Sequence, residues 1–554
     1  MGHLGGEGGA SGRGLIRRST SSLRVKGGIS AEPATLSCVG ITLYMETSIS
    51  SRRRLHWLPA LDGAVWLTLA VLVFFTISRH EPWADEAQSW LLARDLPWFK
   101  LIFGELRYEG HPGLWHSILW IAIHWFHLPY GAMGYVGGGF AVAGLAVLLF
   151  HAPFPRPLRY LIASSFFLVY QYAVIARSYE LLPLLAFGSA CLFRKGIRHV
   201  IPFAVALSLM SHVSVHGATI AMALAIAFIV RLRPQWSGLE AGQKNQVMVA
   251  GAIFGFALVL LVVILFPPSA TTVAMSDAKT FTLEAHVMKT FFGLCAAVTD
   301  YLPLALLILL LVGIWFVERH GLFLMLSAVG GTALIYGFLR GTRHHQGLIL
   351  IALLTAIWAV WPTKEELACS PKASSHLHAV LVVTLSLLFA WHTYWSAVAI
   401  RNDWRGAYTG AQDAAMFLKS IHADSAGCNA YNFWLVGVQP YFDHNIFANL
   451  GGPDAPAFYH QTTDFTNSIA GWPAFVNRKN NPPCMLFSFA LNWRENIGPM
   501  VEYIKAQGYQ LVHVSDGTAF FKDEPGERQL YLFFVRRPGI PEHLAQGAAQ
   551  RGLD

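Results

Sequence analysis

The 554-residue chain is 54% hydrophobic and only 13% charged, against about a quarter charged in an average soluble domain. Its apolar residues come in long continuous runs, which predicts a helical membrane protein and excludes a membrane barrel, whose strands alternate apolar and polar residues. The net charge of +8 is read as Lys and Arg collected in cytoplasmic loops, and not as a nucleic-acid surface.

Residues 1–54 are rich in Gly, Ser and Arg, lack a signal-peptide pattern, and read as a disordered cytoplasmic N-terminus. Met45 is an alternative start to Met1, because the cluster Ser51 to Arg54 would then stand just before the first span. That span is expected at about Leu58 to Ile77 and carries the chain to the outer side. The loop Ser78 to Pro112 follows, with adjacent acids Asp85 and Glu86 ahead of an amphipathic run, Ala87 to Leu96, able to lie along the interface. Gly113 to Phe150 is apolar with a break at Leu128 to Gly131, so two helical pieces are expected. From Pro153 onward basic loops alternate with apolar runs. Arg156 and Arg159, Arg194 to Arg198 and Arg231 to Arg233 read as inside; Arg177 to Glu180 and Pro267 to Asp300 read as outside, the latter with a helix near Leu283 to Ala296. A last span is expected at Leu377 to Ala397, for a total of 11 to 13. The same parity puts the basic stretch Arg340 to His345 outside. That breaks the charge rule, and a bound anion would explain it.

From Arg401 the composition turns mixed, with helical spacing at Asp413 to Ile421 and Ile497 to Gln507. Residues 401–554 therefore read as a small α/β domain on the outer face, after a transmembrane domain over 55–400. No internal repeat of the kind built into many transporters is evident. None of the six cysteines forms a C-x-x-C pair, so no zinc or redox motif is indicated. Only Cys428 and Cys484 fall together in the outer domain, and whether they pair is left open.

For Asp85 and Glu86 two readings compete. Pro82 suits a first helical turn, and acids there complement the helix dipole. Carboxylates beside a membrane are also costly and therefore functional candidates. His212 and His216 are spaced to share a helix face, but without a third ligand nearby they read as packed or hydrogen-bonded. Trp90, Trp98 and Trp115 read as interfacial aromatics, and Asp277, Glu284 and His286 lie on a loop that could act as a lid.

WADEAQSWLLARD (Trp83 to Asp95), followed by GHPGLWHSILW (Gly110 to Trp120), resembles the first outer loop of the GT-C membrane glycosyltransferases. The branch it resembles is the bacterial protein mannosyltransferase/aminoarabinose transferase superfamily. Asp85-Glu86 and His111-Pro112 match that loop; Gly113 stands where a second Pro is usual. IARSYELLPLLA (Ile175 to Ala186) and YGFLRGTRHH (Tyr336 to His345) resemble two later outer elements of the family. The resemblance covers about residues 55–400 and implies a GT-C fold, all-α and polytopic, with a small C-terminal α/β periplasmic domain.

It also implies inverting transfer of a sugar from a polyprenyl-phosphate donor to the hydroxyl of a glycan, lipid or protein acceptor. The site would be the periplasmic face of a bacterial inner membrane. Asp85 would be the general base. Glu86 would orient it, bind sugar hydroxyls, or help Asp85 hold a divalent metal; no other cofactor is implied. Arg343 with His344, and then Arg177, would hold the phosphate, with His111, Tyr179 and Glu180 at the substrate. Two other classes stay open at this point: a transporter or flippase of lipid-linked sugars, and a polymerase or ligase of them.

Overall fold

The computed structural model describes residues 58–266, 268, 282–339, 341–460, 471–477, 482–491 and 496–536. All of them lie in one compact unit, Leu55–Asp554. The expectations for residues 1–54, Asp277 and Arg340 fall outside the described residues.

Helix α1 spans Leu58–Ile77, within the limits its apolar run suggested. Helix α2, Ala84–Asp95, starts where the extended Trp83 turns the chain; the Glu86 carboxylate folds back to accept the Trp83 N–H at 3.0 Å. The helix is not the half-exposed amphipathic one its sequence suggested, but is packed into the protein. Nine of its twelve residues are buried. Ala84, Ala87 and Leu91 pack against Phe433, Val436 and Ala457 of the C-terminal region, and the small alanines let that region approach closely. Another face packs on α3, Leu114–His124. Helix α4, Met133–His151, follows the expected break at Leu128 to Gly131.

The other bundle helices of eight or more residues are α5 (Arg156–Ala163), α6 (Leu181–Lys195), α7 (Val200–Ser211), α8 (Val215–Leu232), α9 (Ala241–Leu265), α10 (Leu283–Val298), α11 (Leu302–Glu318), α12 (Gly331–Phe338), α13 (Gln346–Ala359) and α14 (Lys372–Arg405). Every residue of α13 is buried, as an all-round apolar helix at the centre of a bundle must be. Leu67 and Val71 of α1, Phe256 and Val259 of α9, Leu307 and Leu310 of α11, and Leu387 of α14 point outward and exposed. Such apolar outer faces suit lipid, and the chain is a multi-pass membrane protein.

Five described helical stretches are long and apolar enough to cross a bilayer: Pro59–Ile77, Tyr130–His151, Val215–Gly238, Ala241–Leu265 and Lys372–Arg405. The pair α10 and α11, bent by 83°, would make a sixth. This is below the 11 to 13 expected, because the other apolar runs form shorter helices, such as α6, α7 and α13, or are interrupted. The run Tyr160 to Ile175, for example, leaves α5 at Ser164 and passes through a π-turn at Phe167–Gln171.

Helix α14 continues through Arg405, so the boundary expected after residue 400 falls inside a helix. Beyond it lies a small sheet domain with strands β1 (Asn429–Tyr431), β2 (Cys484–Leu491), β3 (Tyr509–Phe521) and β4 (Glu524–Arg536), in the order β1-β2-β4-β3. β1 runs parallel to β2, and the other pairs are antiparallel. Helix α15, Ala411–Ser420, covers one face through Phe417 and Leu418; α16, Gly498–Ala506, covers the other through Met500 and Ile504. Cys428 and Cys484 form a disulfide that ties the approach to β1 to the first residue of β2.

Several polar contacts seat this domain on the helices. Glu81 accepts the backbone N–H groups of Thr409 (3.1 Å), Gly410 (2.8 Å) and Gln412 (2.5 Å). Lys522, at the β3–β4 turn, reaches Asp300 at 2.6 Å and the Ala296 carbonyl at 2.9 Å. Asp95 accepts the Ala457 N–H at 2.7 Å.

Candidate active site

Several chain segments meet at one face of the bundle: the loop after α1 with α2, the stretch Glu109 to His116 leading into α3, the turn Arg177 to Glu180 before α6, Ser214 to His216 at the start of α8, and the turn Thr342 to His345 before α13. They enclose a cavity of about 280 Å³ whose lining includes Asp85, Gln88, Glu109, His111, His116, Arg177, Tyr179, His216, His344 and His345. Asp85, His111, Arg177, Tyr179 and His344, far apart in sequence, are thus brought together.

Asp85 forms an ion pair with Arg177. The carboxylate side chain is 32% exposed and the guanidinium side chain 13%, so the pair sits at the cavity wall with the acid nearer solvent. The guanidinium lies 5.7 Å from the ring centres of both Trp83 and Tyr179, within cation–π range of each. Glu109 ends a helical turn, Leu106–Glu109, capped by Gly110 at φ 68°, a left-handed conformation that glycine adopts without strain. That cap sets Glu109 and His111 on the same cavity. Burial raises Glu109 to about 7, and the neighbouring Asp85 and Glu105 carboxylates push the same way. Gln88 donates to Glu109 at 2.8 Å and to the Tyr459 carbonyl at 2.7 Å, and accepts the Tyr459 N–H at 3.0 Å.

The imidazoles here are neutral at physiological pH. Burial, reinforced by Arg177, pulls His111 and His344 down to about 4, and His345 lies well below its usual range. His216 stacks on His345 with ring centres 5.5 Å apart. The buried ring nitrogens His116 Nδ1 and His216 Nε2 have no hydrogen-bond partner among the described residues.

Three expected site residues lie elsewhere. Glu86 does not line this cavity. Successive helix residues point about 100° apart, and Glu86 accepts the Ala176 N–H at 2.7 Å and faces His80 Nε2 at 3.4 Å. His80 Nδ1 reaches Asp403 of α14 at 3.0 Å. Burial opposes charge on His80, but the Asp403 and Glu86 carboxylates outweigh it and raise the group to about 10. The result is a buried carboxylate–imidazolium–carboxylate clasp.

Glu180 is fully buried, and neither carboxylate oxygen has a partner among the described residues. It is seated against Gly137 of α4, where a Cβ would collide with it. Arg177, three residues before it, pairs with Asp85 instead. Arg343 is 60% exposed at its side chain and faces Glu524 of β4 at 3.9 Å, outside the cavity lining.

A metal shared by Asp85 and Glu86 does not fit these residues, because the two carboxylates turn to different partners. Among the described residues no cluster of three His, Cys, Asp or Glu is placed to hold one. His212 bonds the Ala257 carbonyl at 3.0 Å, as the packed reading expected. Glu284 and His286 sit on α10 and do not line the cavity. Sequence reasoning missed Glu109; an acid directly ahead of the Gly-His-Pro step was the available signal. Gln88 and His116 carried no sequence signal of their own.

No protein-family model and no curated protein sequence matches the chain. Among solved structures, the fold is similar to the crystal structure of ArnT from Cupriavidus metallidurans bound to undecaprenyl phosphate. The TM-score is 0.44 and the identity 12%, over 86% of this chain and 97% of that one. A likeness of that size says nothing of chemistry, which rests on the cavity's own residues.

Proposed function

We propose that this chain is an inverting glycosyltransferase of the GT-C type. It moves a sugar from a polyprenyl-phosphate donor to an acceptor hydroxyl on a glycan, lipid or protein. The observation that carries this reading is the Asp85–Arg177 pair facing a polar, histidine-lined cavity at one end of an apolar helical bundle. A base and a phosphate-binding cation side by side at a membrane surface are what transfer from a lipid phosphate needs.

Asp85 accepts the proton of the acceptor hydroxyl as its oxygen bonds to the anomeric carbon. The bond from that carbon to the phosphate oxygen breaks on the opposite side, and its electron pair leaves with the polyprenyl phosphate. The leaving group is already a stable anion, so it needs a cation more than a proton. Arg177 supplies that charge. Before substrate binds, Asp85 and Arg177 neutralise one another; a docked phosphate draws the guanidinium away and frees the base only when the donor is in place. Glu109, near neutrality in its acidity, stands by as the second carboxyl. His111, His344 and Tyr179 hydrogen-bond the sugar or the phosphate. Arg343, on the rim, guides the anion in.

On this reading the cavity and the sheet domain of residues 401–554 face the periplasm of a bacterial inner membrane, and the N-terminus is cytoplasmic. The Cys428–Cys484 disulfide supports that side, because disulfides persist in oxidising compartments. The test is to supply purified protein with radiolabelled polyprenyl-phosphate sugars and a membrane extract of acceptors. Transfer of label to a new product supports the reading. Movement of intact donor across a vesicle membrane with no new product would instead mark a flippase.

A further inference from the structure

The backbone fixes the direction of one hydrogen-bond chain at the cavity. The Thr342 N–H lies 3.0 Å from His345 Nδ1. A backbone N–H can only donate, so Nδ1 accepts and a neutral His345 carries its hydrogen on Nε2. Burial keeps the ring neutral, and the neighbouring His344, His216, Arg177 and His111 act in the same direction. His345 Nε2 lies 2.7 Å from the Tyr179 hydroxyl oxygen and so donates to it. Tyr179, having accepted, has its own hydrogen to give elsewhere. It is 3% exposed and lines the cavity. Burial raises its pKa above the usual range, so it keeps that hydrogen. The Arg177 guanidinium lies 5.7 Å from its ring centre, which brings cation and hydroxyl to the same part of the cavity.

We propose that Tyr179 is a committed hydrogen-bond donor to the phosphate of the lipid-phosphate substrate, and that His345, held by Thr342, is the positioning residue that aims it. The proposal rests on the glycosyl-transfer reading above. No covalent bond changes at either residue. The Tyr179 O–H bond to a phosphate oxygen strengthens as negative charge builds there during departure of the sugar.

The test measures binding of decaprenyl phosphate, and of decaprenol as its uncharged counterpart, to the full chain in lipid nanodiscs. Tyr179→Phe should weaken decaprenyl phosphate binding about tenfold or more and leave decaprenol unchanged. His345→Gln places an amide near the Nε2 position and can still donate to Tyr179; it should bind close to wild type. His345→Asn reaches only the Nδ1 position. It can satisfy Thr342 but not Tyr179, and should bind as weakly as Tyr179→Phe. The double variant Tyr179→Phe with His345→Asn should be no weaker than Tyr179→Phe alone, since both act through one hydroxyl. Wild-type affinity in Tyr179→Phe, or equal affinity in the Asn and Gln variants, would overturn the proposal while leaving glycosyl transfer standing. Failure of the wild-type chain to bind decaprenyl phosphate at all would overturn both.

Discussion

At the scale of single residues, two neighbours on one helix part company. Asp85 faces the cavity and Arg177; Glu86 turns away to His80 and the Ala176 N–H. Their variants should therefore fail differently. Asp85→Asn keeps the size of the side chain and should abolish transfer with little change in melting temperature. Glu86→Gln should lower the melting temperature, because it strips one carboxylate from a buried imidazolium. Glu109 gives a pH signature. Burial raises its pKa from the ordinary carboxylate range to about 7. An acid raised in the folded state contributes stability below its unfolded value, lost as pH climbs through the folded one; the charged form is the disfavoured one. Glu109→Gln should therefore make the protein relatively more stable above pH 7 than below pH 4.5. If ionised Glu109 assists the reaction, the same variant should also remove a rise in rate near pH 7, measured from the pH profile of kcat/KM.

Much of the cavity was legible before the fold was known. Asp85, His111, Arg177, Tyr179 and His344 were marked by their residue types, by a charge-rule violation, and by a family resemblance. The misplacements have physical reasons. Adjacency in sequence suggested that Asp85 and Glu86 act together, but on a helix adjacent side chains diverge. Glu180 read as a loop acid and turned out sealed against Gly137, a tertiary fact. Glu109 matters because of its burial and of Asp85 beside it, neither of which is local.

At the scale of elements, α2 is the partition of the molecule. It lies between α3 on one side and the C-terminal Phe433, Val436 and Ala457 on another. Its N-terminal end is held by the clasp Glu86–His80–Asp403, which ties the loop after α1 to α14. Both partner side chains and the imidazole are nearly sealed from solvent. Removing the imidazole would leave two buried carboxylates facing one another. His80→Ala should cost about 3–5 kcal/mol, measured by thermal or denaturant unfolding. A group raised to about 10 keeps its stabilising charge throughout the physiological range and loses it only as pH rises toward that value. The sequence could not show this clasp, because Asp403 is 323 residues from His80. The lengths of the apolar runs misled in a related way. They predict a span over Tyr160 to Ile175, where α5 breaks at Ser164.

At the scale of the whole molecule, the sheet domain roofs the helical bundle. Glu81 and Lys522 are among its polar anchors, and Lys522 is 2% exposed at its side chain, 4.4 Å from the Trp395 ring centre. The roof contacts the cavity directly, through the Gln88–Tyr459 pair that also steadies Glu109. Lys522→Ala should loosen the β3–β4 hairpin, seen as faster amide hydrogen exchange across Tyr509–Phe521 and Glu524–Arg536. Reduction of the Cys428–Cys484 bridge, which closes a separation of 56 residues, should cost about 2–4 kcal/mol.

On the glycosyl-transfer reading, bundle, cavity and roof together serve to hold Asp85 beside a phosphate-binding arginine at the membrane surface. The most direct measurement is single-turnover transfer of radiolabelled sugar from a polyprenyl phosphate, comparing wild-type protein with Asp85→Asn at equal donor occupancy. Wild type should give labelled product, and the variant should lose at least about a hundredfold in rate while keeping donor binding. Equal turnover in the two proteins would contradict the assignment of Asp85 as the base.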